Sequence, residues 1–430
     1  MSAVTGASVY QEFTITSSDN KKVVSIIGGV IDFQYYEDLY SPVTTAIIQI
    51  SNTGNTVDGQ GLYYGLPIKG GERVNFKIKT PVDSLIGKGG LFEYVMYVDK
   101  VTNHINDRQG EFFMLHLVSR ESITNDQCRV TRKYVDRTID QCLAEIIGLV
   151  EPLQPVNFEK TENIYPFFGN MRKPFTWAMQ LASKAIPVDS KSKSAGFFFW
   201  QTKRGFNFRS IDGLIKFAIE NKATVQKYYY RQDMRNQYEG TNATGILDFK
   251  ENKAVDLSNS LNRGEFSSYR VYFNPLDFTF TPPNEARILS DPKTYLGEKE
   301  DLPLIVDPEN IPATMWAPRV LSGVYNVGTL VAGVSTAISY NPLDEVAQGA
   351  SRYSSFFNID YTVTVPVNTN LCAGDPVFLE LPKTTVGTQD IDRKQSGLYI
   401  IKEITHKFLP NKSYTCMRVV RDHHGINTQK

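Results

Sequence analysis

The chain has 430 residues, 41% of them hydrophobic, and 46 Lys+Arg balance 46 Asp+Glu. Its mean hydropathy is −0.28. That length exceeds one ordinary domain and predicts two to four, each with enough apolar residues for a core. A net charge of zero excludes a dedicated nucleic-acid binder with its basic excess, though not a charged inner surface, and puts up little resistance to self-association.

Met1 to Gly6 show no basic region followed by an apolar core, so no signal peptide is expected. Up to about Ser122 the chain reads as β-rich. Residues 23–30, 31–38 and 44–50 are β-branched and aromatic runs bounded by Gly, Asn and Pro. Gly71-Glu72-Arg73-Val74 then opens the alternating run 74–78, followed by Pro81, a second strand at 98–102 and a third at 115–118. A different texture begins near Val130. Thr138-Ile139-Asp140-Gln141 predicts a capping box, with Ile139, Leu143, Ile146 and Ile147 on one helical face and Gly148 as the stop. Pro174 opens a second helix, predicted from Phe175 to about Ile186, with Trp177, Leu181 and Ala185 on its apolar face and Pro187 ending it. Residues 196–202, the turn Lys203-Arg204-Gly205 and residues 206–210 predict a β-hairpin. From about Val225 the chain is β-like through Phe273, then Pro-rich from about Thr281 to Arg319, then uncharged over residues 320–339. Strands resume at Tyr353. Gly374-Asp375-Pro376-Val377 opens the run 377–381, followed by Pro382, a second strand at 401–405 and a third at 417–420.

The front and rear Gly-acid turns with their three strands thus form one pattern, written twice about 300 residues apart. Such a spacing is no solenoid; it predicts a duplicated antiparallel β-barrel in one subunit. The fold expected is mainly β with an α/β module: one barrel over 1–125, the module over 126–215, a second barrel over 216–280 and 345–430, and an insertion with an uncharged arm over 281–344.

Chemistry-bearing patterns are sparse. Asp422-His423-His424-Gly425 invites a metal, but adjacent histidines on a strand point apart, and His104, His116 and His406 offer no helical pairing; a solvated tail is expected there. The run 320–339 contains Gly323, Gly328, Gly333 and several hydroxyl residues, so an apolar arm packed on a neighbouring subunit is expected rather than a membrane span. Lys227-Tyr228-Tyr229-Tyr230-Arg231 resembles a single-strand nucleic-acid platform, but three successive tyrosines cannot share one groove, and a packed strand is expected. Cys128, Cys142, Cys372 and Cys416 form no Cys-x-x-Cys pair and are expected as reduced, mostly buried thiols. No nucleophile elbow, phosphate loop, zinc-protease or dinucleotide motif is present. No catalytic residue, cofactor or metal is therefore predicted, and the protein is expected not to be an enzyme.

Several segments occur in a telling order. They are Leu66-Pro67-Ile68-Lys69-Gly70-Gly71-Glu72; Val118-Ser119-Arg120-Glu121-Ser122; Lys173-Pro174-Phe175 with Leu181-Ala182-Ser183; Gly196-Phe197-Phe198-Phe199 with Gly205 to Asp212; and Ala373-Gly374-Asp375-Pro376-Val377 with Gly397-Leu398-Tyr399-Ile400-Ile401. By order and spacing they resemble the baseplate hub subunit of contractile-tailed bacteriophages of the T-even and cyanophage kind, over most of the chain and most weakly at 281–340. The resemblance implies two tail-tube-like barrels per subunit and a homotrimer whose six barrels form a ring. It further implies partnership with the central cell-puncturing spike, the first ring of tail tube proteins, baseplate wedge proteins and the tape measure protein. DNA passes only in transit, with no stable membrane insertion. The location implied is the virion tail baseplate, assembled in the host bacterial cytoplasm. Alternatives are the hub of a non-phage contractile injection system, often fused to its spike whereas this chain stops at Lys430, and a spike-associated cell-wall hydrolase.

Overall fold

A computed structural model describes residues 8–52, 54, 57–80, 90–107, 110–188, 196–230, 244–253, 256–265, 267–274, 278–280, 287–289, 295–298, 319–324, 342–383 and 391–425. The first seven strands are β1 (Val9–Thr16), β2 (Val23–Ser25), β3 (Val30–Asp38), β4 (Thr45–Asn52), β5 (Arg73–Lys79), β6 (Leu91–Asp107) and β7 (Gly110–Val118). They pair antiparallel in the order β3-β4-β7-β6-β5-β1-β2. Period-two burial sends Phe13, Phe33, Ile48, Phe76, Phe113 and Leu115 to one face, where they form a core joined by Leu62 from the short helix α1 (Leu62–Gly65). Across the roll, Tyr10 donates to the Phe408 carbonyl at 3.0 Å and Phe92 stacks on Phe408, which is the cross-strand partner of Phe33.

The next stretch holds α2 (Arg120–Gln127), β8 (Lys133–Tyr134), α3 (Ile139–Gly148), β9 (Val156–Phe158), β10 (Phe167–Phe168), α4 (Pro174–Ala182), β11 (Phe197–Thr202) and β12 (Gly205–Ser210). Helix α3 buries Ile139, Leu143, Ile146 and Ile147, as its periodicity predicts. Its expected capping box does not form: Thr138 sits at the N-cap without a side-chain bond, and Thr161 instead accepts from the Asp140 N–H at 3.0 Å. Helix α4 ends at Ala182, not near Ile186. The Lys184 N–H turns back to the Leu181 carbonyl, while Ala185 stays buried beyond the helix. The hairpin falls where it is predicted, and all six β11 residues are buried. Phe197 and Phe199 enter the module core; Phe198 and Trp200, on the opposite face, enter the core of the rear sheet. That rear core also takes Ile211, Leu214, Ile215 and Ala218 from α5 (Ile211–Glu220), a helix the sequence reading missed. Its cap is Ser210, whose hydroxyl accepts from the Gly213 N–H at 2.8 Å.

The remaining elements are β13 (Gln226–Tyr229), β14 (Asp248–Lys253), α6 (Leu257–Arg263), β15 (Ser267–Asn274), β16 (Thr279–Phe280), β17 (Arg287–Leu289), β18 (Val320–Val324), α7 (Pro342–Phe356), β19 (Ile359–Pro366), β20 (Pro376–Glu380), β21 (Gly397–Leu409) and β22 (Lys412–Arg421). Strands β15 to β18 form a separate small sheet. Most of the Pro-rich stretch, and the uncharged run after Val324, lie outside the described residues. The rear sheet runs β14-β19-β22-β21-β20-β13. It closes on itself: Tyr229 bridges Gly245, and the chain from there enters β14. Strand β21 pairs β22 along one edge and divides the other between β20 and β3, so thirteen of the described strands form one continuous sheet.

In chain order, β1, β3, β4, β5, β6 and β7 occupy the same sheet positions as β13, β14, β19, β20, β21 and β22. The pairing sense differs only at the edge, where β1 meets β5 antiparallel and β13 meets β20 parallel.

Candidate functional site: two matched turns and the hairpin between them

Gly71 and Gly374 adopt φ of +86° and +87°, a region glycine enters without Cβ strain. Each is held in the same way. The Gly71 N–H donates to the Val98 carbonyl at 2.7 Å, and the Val98 N–H to the Glu72 carbonyl at 2.9 Å; Gly374, Ile401 and Asp375 repeat this at 2.8 and 2.9 Å. The acidic side chain folds back over each turn. Glu72 accepts from the Lys69 N–H at 2.7 Å and Asp375 from the Cys372 N–H at 2.9 Å. One residue later each partner strand bulges, at Asp99 in β6 and at Lys402 in β21. A bulge adds local twist and bend, which a sheet needs in order to roll up.

The β11–β12 hairpin wedges between the two sheets. The Gln201 amide oxygen accepts from the Thr44 N–H and the Ser119 hydroxyl, and its nitrogen donates to Glu121 at 3.1 Å. The Trp200 indole donates to the Ala373 carbonyl at 2.9 Å. Arg204 pairs with Asp375 at 2.9 Å. At the meeting point of front sheet, hairpin turn and rear turn lies Glu37, which is 2% exposed. Its carboxylate accepts from the Lys203 N–H at 2.7 Å, the Ala373 N–H at 2.9 Å and the Tyr35 hydroxyl at 3.0 Å. Burial pushes its pKa up, and these donors together with the Lys203 charge pull it part of the way back. Asp375 is likewise raised by burial, against the pull of Arg204. Behind Glu37, His406 is stacked on Tyr35. Its two ring nitrogens engage the Thr415 hydroxyl and the Leu371 carbonyl, and burial, with Lys203 adding to it, lowers its pKa to about 3. Each carboxylate here holds backbone N–H groups. These bonds tie the front and rear parts of the sheet to the hairpin of the module.

Sequence reasoning found both turns and the hairpin but not Glu37 or Gln201. Glu37 did carry a signal: it continues the inward phase of Phe33 and Tyr35 along β3. The solvated tail expected at Asp422-His423-His424 is corrected. Asp422 is fully buried and accepts from the Leu296 and Gly297 N–H groups at 3.0 and 3.1 Å, while the His424 carbonyl accepts from the Glu298 N–H. The segment fastens a piece of the insertion to the last strand. Among the described residues no group of three or more His, Cys, Asp or Glu is placed to hold a metal ion, and no helix is long and apolar enough to cross a membrane. Tyr228 is buried in the rear core, with Tyr229 and Tyr230 half-buried. The four cysteines are free thiols; Cys142 and Cys372 are buried, Cys128 and Cys416 half-buried.

No family model and no curated protein matches the sequence. Solved structures do match. The 43 kDa tail protein of prophage MuSo2 from Shewanella oneidensis aligns with a TM-score of 0.51 at 12% identity, over 97% of this chain and 100% of that one. The tail protein from Neisseria meningitidis MC58 aligns at 0.50 and 10% identity, over 96% and 97%. A chain of the lidded Francisella PdpA–VgrG complex aligns at 0.50 and 8% identity, over all of this chain but 55% of that one. At these identities the likeness is one of fold. The mainly-β architecture expected from the sequence is the one found, and these two tail proteins share it over 100% and 97% of their length.

Proposed function

We propose that this chain is a structural subunit of a phage tail baseplate, a hub in which three copies set six tube-like units in a ring. One face of the ring receives the sixfold tail tube and the other the threefold central spike; its bore passes the genome. In this reading residues 1–125 form one tube-like unit, 216–280 with 345–430 the other, apart from the strands at 267–274 and 279–280 that join the separate small sheet, and 126–215 the module that sets their angle. The protein does this without catalysis, in the virion, with the spike, first tube ring, wedge and tape measure proteins as neighbours. The observation carrying the proposal is the repeated strand order, turn and bulge within one chain. A head-to-tail contact that turns by one sixth closes a ring, and a chain holding two such units needs only three copies. The outer edge of β2, with Val23 65% exposed, ends the sheet among the described residues and is the kind of edge a neighbour covers.

Light scattering on the purified chain, with and without the spike protein, tests this. The expected species has about 145 kDa, three times the chain mass of 48.5 kDa, and shows a sixfold-like outline by electron microscopy. A lone monomer under both conditions overturns it. A second reading is the hub of a non-phage contractile injection system, and the chain shares its fold with part of a chain of the PdpA–VgrG complex. Immunogold labelling of intact phage tails separates the two: label at the tail tip supports the first, and a trimer absent from virions supports the second.

A further inference from the structure

The joint between β21 and β3 shows how one sheet unit meets the next inside the chain. The half of β21 before the bulge at Lys402 pairs with β20, and the half after it, Glu403 to Phe408, pairs antiparallel with Asp38 to Phe33. Strand β6 is built the same way. Its half before the bulge at Asp99, Leu91 to Tyr97, pairs with β5. Along the half after the bulge β7 holds one edge, and no described strand pairs with the other. The counterpart of β3 is β14. Just before it, Thr244 and Ile246 bond to Tyr229 of β13. Beyond them β19 holds one edge of β14, and no described strand pairs with the other. Both strands of the inner joint thus have a counterpart, and among the described residues both counterparts present an open row of N–H and C=O groups. On the open half of β6, Ile105 is 61% exposed.

The ladders also set a register. Counted from the two turns along β7 and β22, Thr102 stands where Thr405 does and Ile105 where Lys407 does. Counted along β4 and β19, Lys253 stands where Tyr36 does and Lys250 where Gln34 does. Inside the chain Thr405 pairs with Tyr36 and Lys407 with Gln34. Between those pairs β21 and β3 have one residue each, His406 and Tyr35, whereas β6 and β14 have two each, Asn103-His104 and Glu251-Asn252. Each open strand carries one extra residue, and it falls at the same level in both. An extra residue in one strand alone would force a bulge between them; one in each keeps them in step.

We propose that β6 of one copy pairs antiparallel with β14 of a second copy, with Thr102 beside Lys253 and Ile105 beside Lys250. The contact is head-to-tail, since each copy offers β6 on one side and β14 on the other. It repeats between chains the step that β21 and β3 take within one, and at the matching level His104 and Glu251 fall opposite each other. That the contact closes after three copies rests on the function proposed above; the pairing itself rests on the inner joint.

The test is cysteine cross-linking of the full chain. Residues directly opposite in an antiparallel pair have Cβ atoms about 4.5–5.5 Å apart, which a disulfide reaches with a small adjustment. A slip of one residue puts the two side chains on opposite faces. The Ile105→Cys/Lys250→Cys double variant, mildly oxidised, should run on a non-reducing gel as covalent dimers and trimers. Their yield should be about tenfold or more above that of the off-register pair Ile105→Cys/Glu251→Cys, and above that of Ile105→Cys or Lys250→Cys alone. The three positions are exposed in the single chain, so the thermal transition should not move. Light scattering on the same samples before oxidation separates this proposal from the hub. Trimers without the cross-link, or equal yield from the off-register pair or a single variant, overturn the strand pairing and leave the hub standing. Cross-linked ladders that run past three copies uphold the pairing and overturn the closed trimer. A chain that stays monomeric alone and with the spike protein overturns both.

Discussion

Glu37 shows what one buried carboxylate can organise. Its two oxygens take N–H groups from Lys203 and Ala373, which lie 166 and 336 residues away along the chain. Glu37→Gln keeps the shape but leaves one acceptor oxygen and turns an NH₂ toward backbone donors. The expected loss is about 1–3 kcal/mol, the range for stranding a buried donor, read as a lower midpoint in thermal or urea unfolding. An unchanged midpoint would show that the joint does not depend on this residue. His406 sets the acid limit. Its folded pKa of about 3 lies below the ordinary histidine value of 6.5, so between those values the unfolded chain binds a proton that the folded chain refuses. Stability therefore falls as pH drops from 6.5 towards 3. Glu37 and Asp375 act the other way. Their raised values favour the protonated acid in the folded state, so their contribution is lost as pH rises and they cannot cause acid lability. His406→Asn should start less stable at pH 7 but lose less of its midpoint between pH 6.5 and 4 than the parent does; a parallel decline in both would refute the assignment.

At the level of elements, the two turns give a matched pair with unequal tolerance. A Cβ on Gly71 meets nothing within 4 Å, whereas one on Gly374 lies 2.5 Å from Trp200 Cζ2. Gly71→Ala should therefore cost only the left-handed backbone penalty, roughly 1–2 kcal/mol, and Gly374→Ala that penalty plus displacement of the indole. Equal losses in unfolding midpoint would mean that the hairpin does not press on the rear turn as described. These turns were legible because a glycine and an acid before an alternating run are local signals, and so were helix α3 and the hairpin. Helix α5 was not, since Gly213 in its first turn masks the periodicity of Leu214, Ile215 and Ala218. Helix α7 was missed for a similar reason. Gly349, Ser351, Ser354 and Ser355 are weak helix formers, and tertiary bonds hold it: Arg352 to Asp212 at 2.7 Å and the Tyr353 hydroxyl to the Phe197 carbonyl. The role of Asp422 was hidden because its partners at Leu296 and Gly297 lie about 125 residues earlier, beyond any periodic pattern.

For the whole molecule, the distribution of charge bears on the bore. Counted from the sequence, the 13 basic and 9 acidic residues of 126–215 leave 33 Lys+Arg and 37 Asp+Glu for the rest of the chain. In the proposed ring the tube-like units, 1–125 with 216–280 and 345–430, are balanced at 29 Lys+Arg and 29 Asp+Glu, the acidic excess lies in 281–344, and the cationic module sits between the units. A conduit for DNA must not hold phosphates. Each Lys or Arg that neutralises one releases counterions and adds affinity that falls steeply with salt. The assembled protein should therefore retain double-stranded DNA at about 0.15 M salt no better than the weak end of non-specific binding, on the order of 10⁻⁴ M, and with a shallow salt dependence. Filter binding across a salt series measures both quantities. Sub-micromolar retention with a steep slope would require a belt of cations around the opening, and a surface of that kind would stall the genome it is proposed to release.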